Sequence, residues 1–436
     1  MADTDRPIEI EWPDGIQAEK RAELHDVLVA YDAALSDLEA DSSAVFKSDG
    51  ERNGVFHTFL KRWDRAWAKP GPCMHHGCPN PIIPRSHTIS LGASIRRIAE
   101  DGHVLTPRYR GTGIEMVSIG VRDASTFPGF CPEHELLFAE FETQKAMTEE
   151  QHFRLQAFRT ICPEIYSKRH QQQKATAMLE EHRARRDAFV VDRMTTAAAP
   201  GAPLGVSGLT FQNDEIENRI VNHLVGIEED LPELERLYDG ILDELQNGSD
   251  RLAMLVANFD IELPVCLSGF GVLNYRRDGE TRRGLCFLAI IPEAGNTKIM
   301  LGAAPEHRDA VDLHAEDDGS FAVLDMLESW MIHATDHWFI APSAWRKISE
   351  PRQTAICARI MELLSLADRS PFSVLDDARR QIIALAESQL AAGRIPEENR
   401  SPLECALQVQ RAKLDWVGDL STPSPGGAAA QPGERT

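Results

Sequence analysis

Cysteine and histidine residues form two close pairs in the first third of the chain. The sequence CMHHGC separates Cys73 and Cys78 by four residues, one of them a glycine able to take a tight turn. The sequence GFCPEH places Cys131 and His134 three apart, around a proline suited to the first position of a helix. Zinc sites are commonly built from two such pairs. The spacing therefore predicts a structural zinc site at Cys73, Cys78, Cys131 and His134.

Two further histidines leave that ligand set open. His75 and His76 lie inside the first pair and are rival ligands. Cys131 stands at the predicted helix cap, where the helix dipole favours a thiolate. The other cysteines lie in apolar or helical surroundings and are interpreted as ordinary thiols: Cys162, Cys266, Cys286, Cys357 and Cys405.

A cysteine pair, short β segments and a ligand pair in the first turn of a helix follow one another in the order of a treble clef. At these residues the sequence resembles HNH-type nucleases, over about residues 70–142. The resemblance implies a ββα metal fold supported by a structural zinc. His87, in IIPRSHTIS, matches the histidine that activates water as a general base. A nuclease of this type would also need a second divalent metal ion.

The chain departs from that family at two positions. The last histidine of the pattern falls at Glu135, and no asparagine occurs between Thr88 and Phe130 to serve as the central one. His103 or Asp123 would have to substitute, although the pattern indicates neither. The whole chain also resembles a group of uncharacterised bacterial proteins that share SHTIS and GFCPEH segments, and this resemblance implies no function.

A second histidine pair occurs in WMIHATDHWFIAPSAW. His333 and His337 have the spacing of a metal pair on one helical face, but no glutamate follows His333 as in metalloproteases. We favour a helix end capped by Asp336 and His337. The loop after it is predicted to pack three aromatic side chains, Trp338, Phe339 and Trp345. The sequence contains no phosphate-binding GxxxxGK and no nucleophile elbow.

Charge and hydropathy limit the classes of partner. The net charge of −22 opposes non-specific binding of nucleic acid. Residues 61–134 are the exception, because basic residues outnumber acidic ones there, so any nucleic acid would bind through that region. No apolar run reaches the length of a membrane span, and the acidic N-terminus does not resemble a signal peptide. We therefore expect a cytoplasmic protein with no membrane partner.

Hydrophobic periodicity predicts helices and strands in separate parts of the chain. A hairpin turn is expected at Arg277–Glu280, and two long helices within 133–194 are expected to break near Pro163. The β segments are predicted at 82–90, 114–121 and, as several strands, within 252–303. The other helices are predicted at 16–38, 55–69, 94–100, 214–245, 322–336, 350–367, 374–392 and 402–416.

These elements predict an α+β protein with a mostly helical N-terminal part, a treble-clef or ββα-like zinc module and a C-terminal α+β domain. Its predicted divisions are N-terminal helices (1–69), the zinc module (70–142), long helices (143–194), a linker (195–210), the C-terminal domain (211–418) and a disordered tail (419–436).

Two functions from different classes fit the sequence. One is an intracellular zinc-binding protein whose zinc is structural and which acts as a binding or regulatory module for an unknown protein partner. The other is a metal-dependent HNH-type nuclease acting on DNA or RNA, for example a bacterial phage-defence effector with His87 as its catalytic base. The basic 61–134 region favours the nuclease, whereas the missing asparagine and last histidine favour the binding protein.

Overall fold

A computed structural model describes residues 17–67, 69, 71–110, 113–198, 214–249, 251–315, 319–360 and 370–416. It combines helices with antiparallel sheets, which confirms the α+β fold class. The predicted tail at 419–436 and most of the predicted linker at 195–210 lie outside the described residues, although residues 195–197 still belong to a helix.

The helices of the described residues are α1 (Ala18–Ala40), α2 (Asp49–Trp67), α3 (Arg96–Ile98), α4 (Pro132–Glu135), α5 (Ala139–Gln144), α6 (Glu150–Ala197), α7 (Glu215–Asn247), α8 (Arg308–Ala315), α9 (Ser320–His333), α10 (Pro342–Lys347), α11 (Glu350–Arg359), α12 (Asp376–Ala391) and α13 (Glu397–Asp415). The strands are β1 (Ser86–His87), β2 (His103–Arg110), β3 (Gly113–Gly120), β4 (Thr126–Phe127), β5 (Ala253–Phe259), β6 (Val265–Arg277), β7 (Glu280–Glu293), β8 (Asn296–Ala303) and β9 (Trp338–Ile340).

The chain divides into two compact units. The first comprises residues 1–69 and 168–231, and the second comprises 70–167 and 232–436. In its described residues the first unit is helical, with apolar contacts among Ala175, Leu179 and Ile220. Buried Arg186 pairs there with Asp214, at 2.9 Å, and with Glu217.

A seven-stranded antiparallel sheet is the centre of the second unit. Its order is β3-β2-β9-β6-β7-β8-β5, so β2 and β3, which come from residues 70–142, share a sheet with the C-terminal strands. The predicted hairpin is confirmed, because β6 and β7 pair up to Arg277 and Glu280. Asp278 and Gly279 between them have φ of 53° and 82°, the left-handed values that a tight hairpin turn needs.

At Pro163 and at residues 338–340 the structure differs from the prediction. Residues 150–197 form one helix through Pro163, because the buried neighbours Ile161 and Ile165 hold the turn despite the missing N–H. The predicted aromatic loop at 338–340 is instead strand β9, whose residues are fully buried between β2 and β6. A three-residue strand carries too little periodicity to be recognised without its neighbours.

Candidate metal centre

The first ligand pair lies in a tight turn. The Cys73 N–H donates to the carbonyl of Asn80 at 3.1 Å, and the Cys78 N–H donates to the carbonyl of His75 at 3.1 Å. Gly77 has φ of 71°, a left-handed conformation that a residue with a side chain rarely adopts. The turn brings both thiols to one side of the loop.

The second pair begins helix α4. Cys131 is the N-cap residue with extended backbone, and Pro132 occupies the first turn as predicted. The Glu135 N–H donates to the Cys131 carbonyl at 3.0 Å and closes that turn. The Cys131 N–H donates to the Cys73 sulfur at 3.3 Å, so the two pairs already touch through a backbone group.

All four predicted ligands come together. Their ligand atoms lie within 4.8 Å of one another, although the two pairs are far apart in the sequence. The His134 Nδ1 is 3.3 Å from the Cys131 sulfur and 3.5 Å from the Cys73 sulfur, and the Cys78 and Cys131 sulfurs are 3.9 Å apart. The four side chains are therefore positioned to hold a metal ion.

These separations agree with tetrahedral coordination. Zinc–sulfur bonds of about 2.3 Å and zinc–nitrogen bonds of about 2.0–2.1 Å imply S···S distances of about 3.8 Å and S···N distances of about 3.5 Å at tetrahedral angles. The distance between the Cys78 and Cys131 sulfurs is far from the ~2.05 Å of a disulfide. The group is consistent with zinc.

The two buried thiols differ in acidity. Burial opposes ionisation of Cys131, but hydrogen bonds from the backbone of His134, the His134 ring and the backbone of Glu133 contribute to lowering its pKa to about 7. Burial raises the pKa of Cys73 to about 11. Cys131 is therefore the more readily formed thiolate, as expected at a helix N-terminus.

The rival histidines stand outside this group. The His75 ring stacks on the His134 ring with centroids 3.9 Å apart and planes 9° apart. Burial, followed by the neighbouring His134, lowers the pKa of His75. His76 is exposed on the turn. His75 thus supports the face of a ligand ring without belonging to the four-residue group.

His87 lies on β1, which pairs with β4 immediately before the second ligand pair. Its Nε2 atom is buried and has no hydrogen-bond partner among the described residues. Burial, followed by the nearby Arg159 guanidinium, lowers the pKa of His87 to about 4. His87 is therefore neutral at pH 7, and this nitrogen is closed off from solvent.

Arg159 is a buried residue that the sequence did not single out. Its guanidinium donates to Glu142 at 2.6 Å and to Glu135 at 3.1 Å, and it lies 4.5 Å from the centre of the Phe138 ring. Glu135 occupies the position of the missing last histidine, and burial raises its pKa. No local pattern distinguishes Arg159 from the other basic residues of α6, so it could not have been found from the sequence.

The proposed substitutes for the central asparagine also stand outside the metal group. His103 begins β2 and its Nδ1 lies 2.9 Å from the Asp101 carbonyl. Asp123 is exposed and pairs with Arg85 at 2.8 Å. Neither belongs to the groups of potential ligands found among the described residues.

His333 and His337 do not share a helical face. Helix α9 ends at His333 with Ala334 as its C-cap residue, so the predicted capping by Asp336 and His337 is wrong. The chain turns before His337 and enters β9. The His337 Nε2 lies 2.8 Å from the Thr88 hydroxyl and 3.4 Å from that of Ser125. Thr88 and Ser125 are buried and also bond to each other, so this chain of polar groups links the segment between β1 and β4 to the sheet.

One other group of potential ligands occurs among the described residues, at Glu140, Glu149 and His152. The backbone N–H groups of Thr148 and Glu149 donate to the His152 Nδ1 at 3.2 and 3.4 Å. The His152 Nε2 lies 3.8 Å from Glu140. His152 therefore accepts backbone hydrogen bonds at the start of α6, and its Nδ1 lone pair is already engaged.

Comparison with family models, curated proteins and solved structures gives no match for this chain. Within the described parts of the chain, none of the helices combines the length and apolarity that a membrane crossing requires.

Proposed function

We propose that Cys73, Cys78, Cys131 and His134 bind one zinc ion whose role is structural, in a protein that serves as an intracellular binding or regulatory module. The observation that carries this proposal is that four ligand atoms from two distant segments lie within 4.8 Å of one another. Three thiols and one imidazole are a preferred donor set for structural zinc.

The chemistry of the site supports a structural role. Catalytic zinc sites usually have three protein ligands and leave one position for water, whereas this group supplies four. Cys131 is fully buried and Cys73 is 7% exposed, which restricts access to the ion from their side. Zinc bound here would join residues 73–78 to residues 131–134, and its binding free energy would add to the stability of the fold.

The order of elements supports a treble-clef assignment for this segment. A cysteine turn precedes the β1–β4 pair, and α4 supplies the last two ligands from its first turn. Residues 88–125, inserted between β1 and β4, contain the β2–β3 hairpin of the main sheet. The zinc segment thus contributes directly to the larger fold, which suits a stabilising ion.

Metal analysis of the purified full-length chain tests the proposal. We expect one zinc per chain, a loss of at least half of it in Cys131→Ser, and no loss in Cys405→Ser, because Cys405 is an exposed thiol on α13. Equal zinc content in the two variants would contradict the ligand assignment.

A metal-dependent HNH-type nuclease acting on DNA or RNA is the second candidate. It is supported by the position of His87 on β1, because β1 pairs with β4, the strand that comes shortly before helix α4 in the chain. Two observations weigh against it. The His87 Nε2 is buried, whereas a general base must reach water and the phosphodiester. The carboxylates of Glu135 and Glu142 are already engaged by Arg159.

The two candidates differ in what a His87→Ala substitution changes. A nuclease would lose about 10²- to 10⁴-fold in its rate of cleavage when its general base is removed. We expect no magnesium- or manganese-dependent cleavage of DNA or RNA by the wild-type chain. Cleavage that is abolished in a folded, zinc-loaded His87→Ala protein would establish the nuclease instead.

A further inference from the structure

Strand β5 forms one edge of the seven-stranded sheet. Among the described residues it pairs only with β8, in an unbroken register from Ala253 opposite Ala303 to Phe259 opposite Thr297. Alternate residues of an antiparallel strand direct their backbone N–H and C=O groups to opposite sides. About half of these groups in β5 therefore face away from β8, and none of them has a hydrogen-bond partner in the described part of the chain.

The sequence of β5 lacks the features that commonly protect an edge strand. It reads AMLVANF, with no charged residue and no proline, and its register with β8 contains no bulge. Proteins usually protect an edge by such features or by a covering element, because an apolar edge pairs readily with other strands. The opposite edge is protected in this way, since β3 carries the charged Glu115 and helix α11 lies against it. Among the described strands, β5 is therefore the open edge of the sheet.

The accessible part of β5 is mainly apolar and is centred on Val256. Residues 254–258 are half-buried or exposed, whereas the residue at each end of the strand is buried. Leu255 is exposed on the strand, and Leu313 is exposed on α8, a helix that contacts β5. Covering such side chains with another apolar surface stabilises association, because it removes apolar area from water. The strand and its neighbouring helix thus offer apolar area beside unpaired backbone groups.

The accessible residues complement themselves in an antiparallel pair centred on Val256. Leu255 then stands opposite Ala257 of a second copy, and Met254 stands opposite Asn258. Each of these pairs joins a larger side chain to a smaller one, and the central pair joins two β-branched side chains. A two-fold axis perpendicular to the sheet produces this register and keeps the helices of both copies on matching faces. The stretch carries no charge that would select an acidic or basic partner, so its own order favours a second copy.

We propose that β5 pairs antiparallel with β5 of a second copy of this chain, so that the two seven-stranded sheets join into one continuous sheet. The interface is isologous, because both copies use the same strand. Backbone hydrogen bonds hold the two strands together, and the apolar side chains of residues 254–257 exclude water from the junction. The dimer does not depend on the zinc site, so a failure of either proposal leaves the other standing.

Sedimentation equilibrium of the full-length, zinc-loaded chain tests the assembly at concentrations from about 1 to 100 μM. We expect a shift from the 48.5 kDa chain to a species of twice that mass as the concentration rises. The net charge of −22 opposes association and salt screens this repulsion, so raising the salt from about 50 to 300 mM should strengthen the dimer. A single species of 48.5 kDa across the whole range would overturn the proposal.

Charge variants locate the junction. Val256→Lys places two ammonium groups opposite each other and should weaken the dimer at least about tenfold. Val256→Thr, which keeps a β-branched side chain, should remain a dimer. Ser118→Lys is the matched control, because Ser118 is exposed on β3, the opposite edge strand, and this variant should associate as the wild type does. Cooperative thermal unfolding of both lysine variants shows that they are folded, and an unweakened dimer of folded Val256→Lys would overturn the proposal.

Cysteine cross-linking tests the register without adding charge, in a Cys405→Ser background that removes the exposed native thiol. Val256→Cys brings its two thiols to directly opposed strand positions, where a disulfide is geometrically allowed. Asn258→Cys is the matched control on the same strand, because its two copies would lie about 13 Å apart along the strands. With oxidised glutathione we expect a covalent dimer of Val256→Cys and none of Asn258→Cys or the Cys405→Ser parent. Equal cross-linking at the two positions, or none at either, would overturn the proposal.

Discussion

Replacing Arg159 with methionine tests whether helix α4, which begins at the candidate metal ligands Cys131 and His134, is held in place by a buried ion network. Arg159 is 1% exposed and its guanidinium pairs with Glu135 at 3.1 Å and Glu142 at 2.6 Å. Glu135 follows the ligand His134 directly, on α4. Methionine keeps much of the apolar volume under Phe138 but leaves two carboxylates without their cation.

The expected cost follows from the burial of the partners. Removing one partner of a fully buried ion pair costs about 3–5 kcal/mol. Glu135 is 23% exposed and Glu142 is 33% exposed, so solvent screens part of the orphaned charge. We therefore expect Arg159→Met to lower the local free energy of unfolding by about 2–4 kcal/mol. The loss should shrink as pH falls through the pKa of Glu135, which burial raises above that of a free carboxylate, because the protonated group no longer needs a cation.

Hydrogen exchange, read by mass spectrometry on peptides covering residues 131–142 and 155–162, measures this local free energy. Arg193→Met is the control on the same helix, because Arg193 and its partner Asp37 are both about half exposed and that pair should contribute at most about 1 kcal/mol. A loss below about 1 kcal/mol for Arg159→Met, or one equal to that of Arg193→Met, would refute the reasoning.

Three further predictions concern the metal, pH and packing. Chelation of zinc should lower the thermal midpoint of the wild-type and Cys405→Ser proteins, measured by calorimetry, but leave the midpoint of Cys131→Ser unchanged. An unchanged midpoint for the wild-type protein would exclude a stabilising ion. Burial lowers the pKa of His337 and of His87 to about 4 in the folded chain, so the unfolded chain binds more protons between about pH 6.5 and 4, and stability should fall as pH falls through that window. His337→Gln should flatten that fall in urea unfolding measured at several pH values, and an unaltered slope would contradict the assignment. Gly302→Ala should destabilise the fold by about 1–3 kcal/mol, because its Cβ would lie 2.3 Å from the buried Phe287 ring. Gly120→Ala, whose Cβ would meet open space, should change stability by less than about 0.5 kcal/mol. Equal thermal midpoints for these two variants would show that the ring moves aside freely.

The features that the sequence alone predicts correctly depend on residues that are close together in the chain. The ligand pairs were visible because a turn glycine and a helix-starting proline place two ligands each within a few residues, and the structure brings the four side chains together. The hairpin at Asp278 and Gly279 was visible for the same reason, since those residues tolerate the left-handed backbone that the turn needs.

Tertiary structure decided the features whose partners are distant in the chain. β9 is a strand only because β2 and β6 supply its hydrogen bonds, and Pro163 stays helical because buried neighbours hold its turn. Arg159 forms its ion pairs with Glu135 and Glu142, which lie on other helices. His337 forms its hydrogen bond with Thr88, which is distant in the chain. The free energy of such contacts comes from burial and pairing between segments, and a residue's own neighbours in the sequence carry no sign of it.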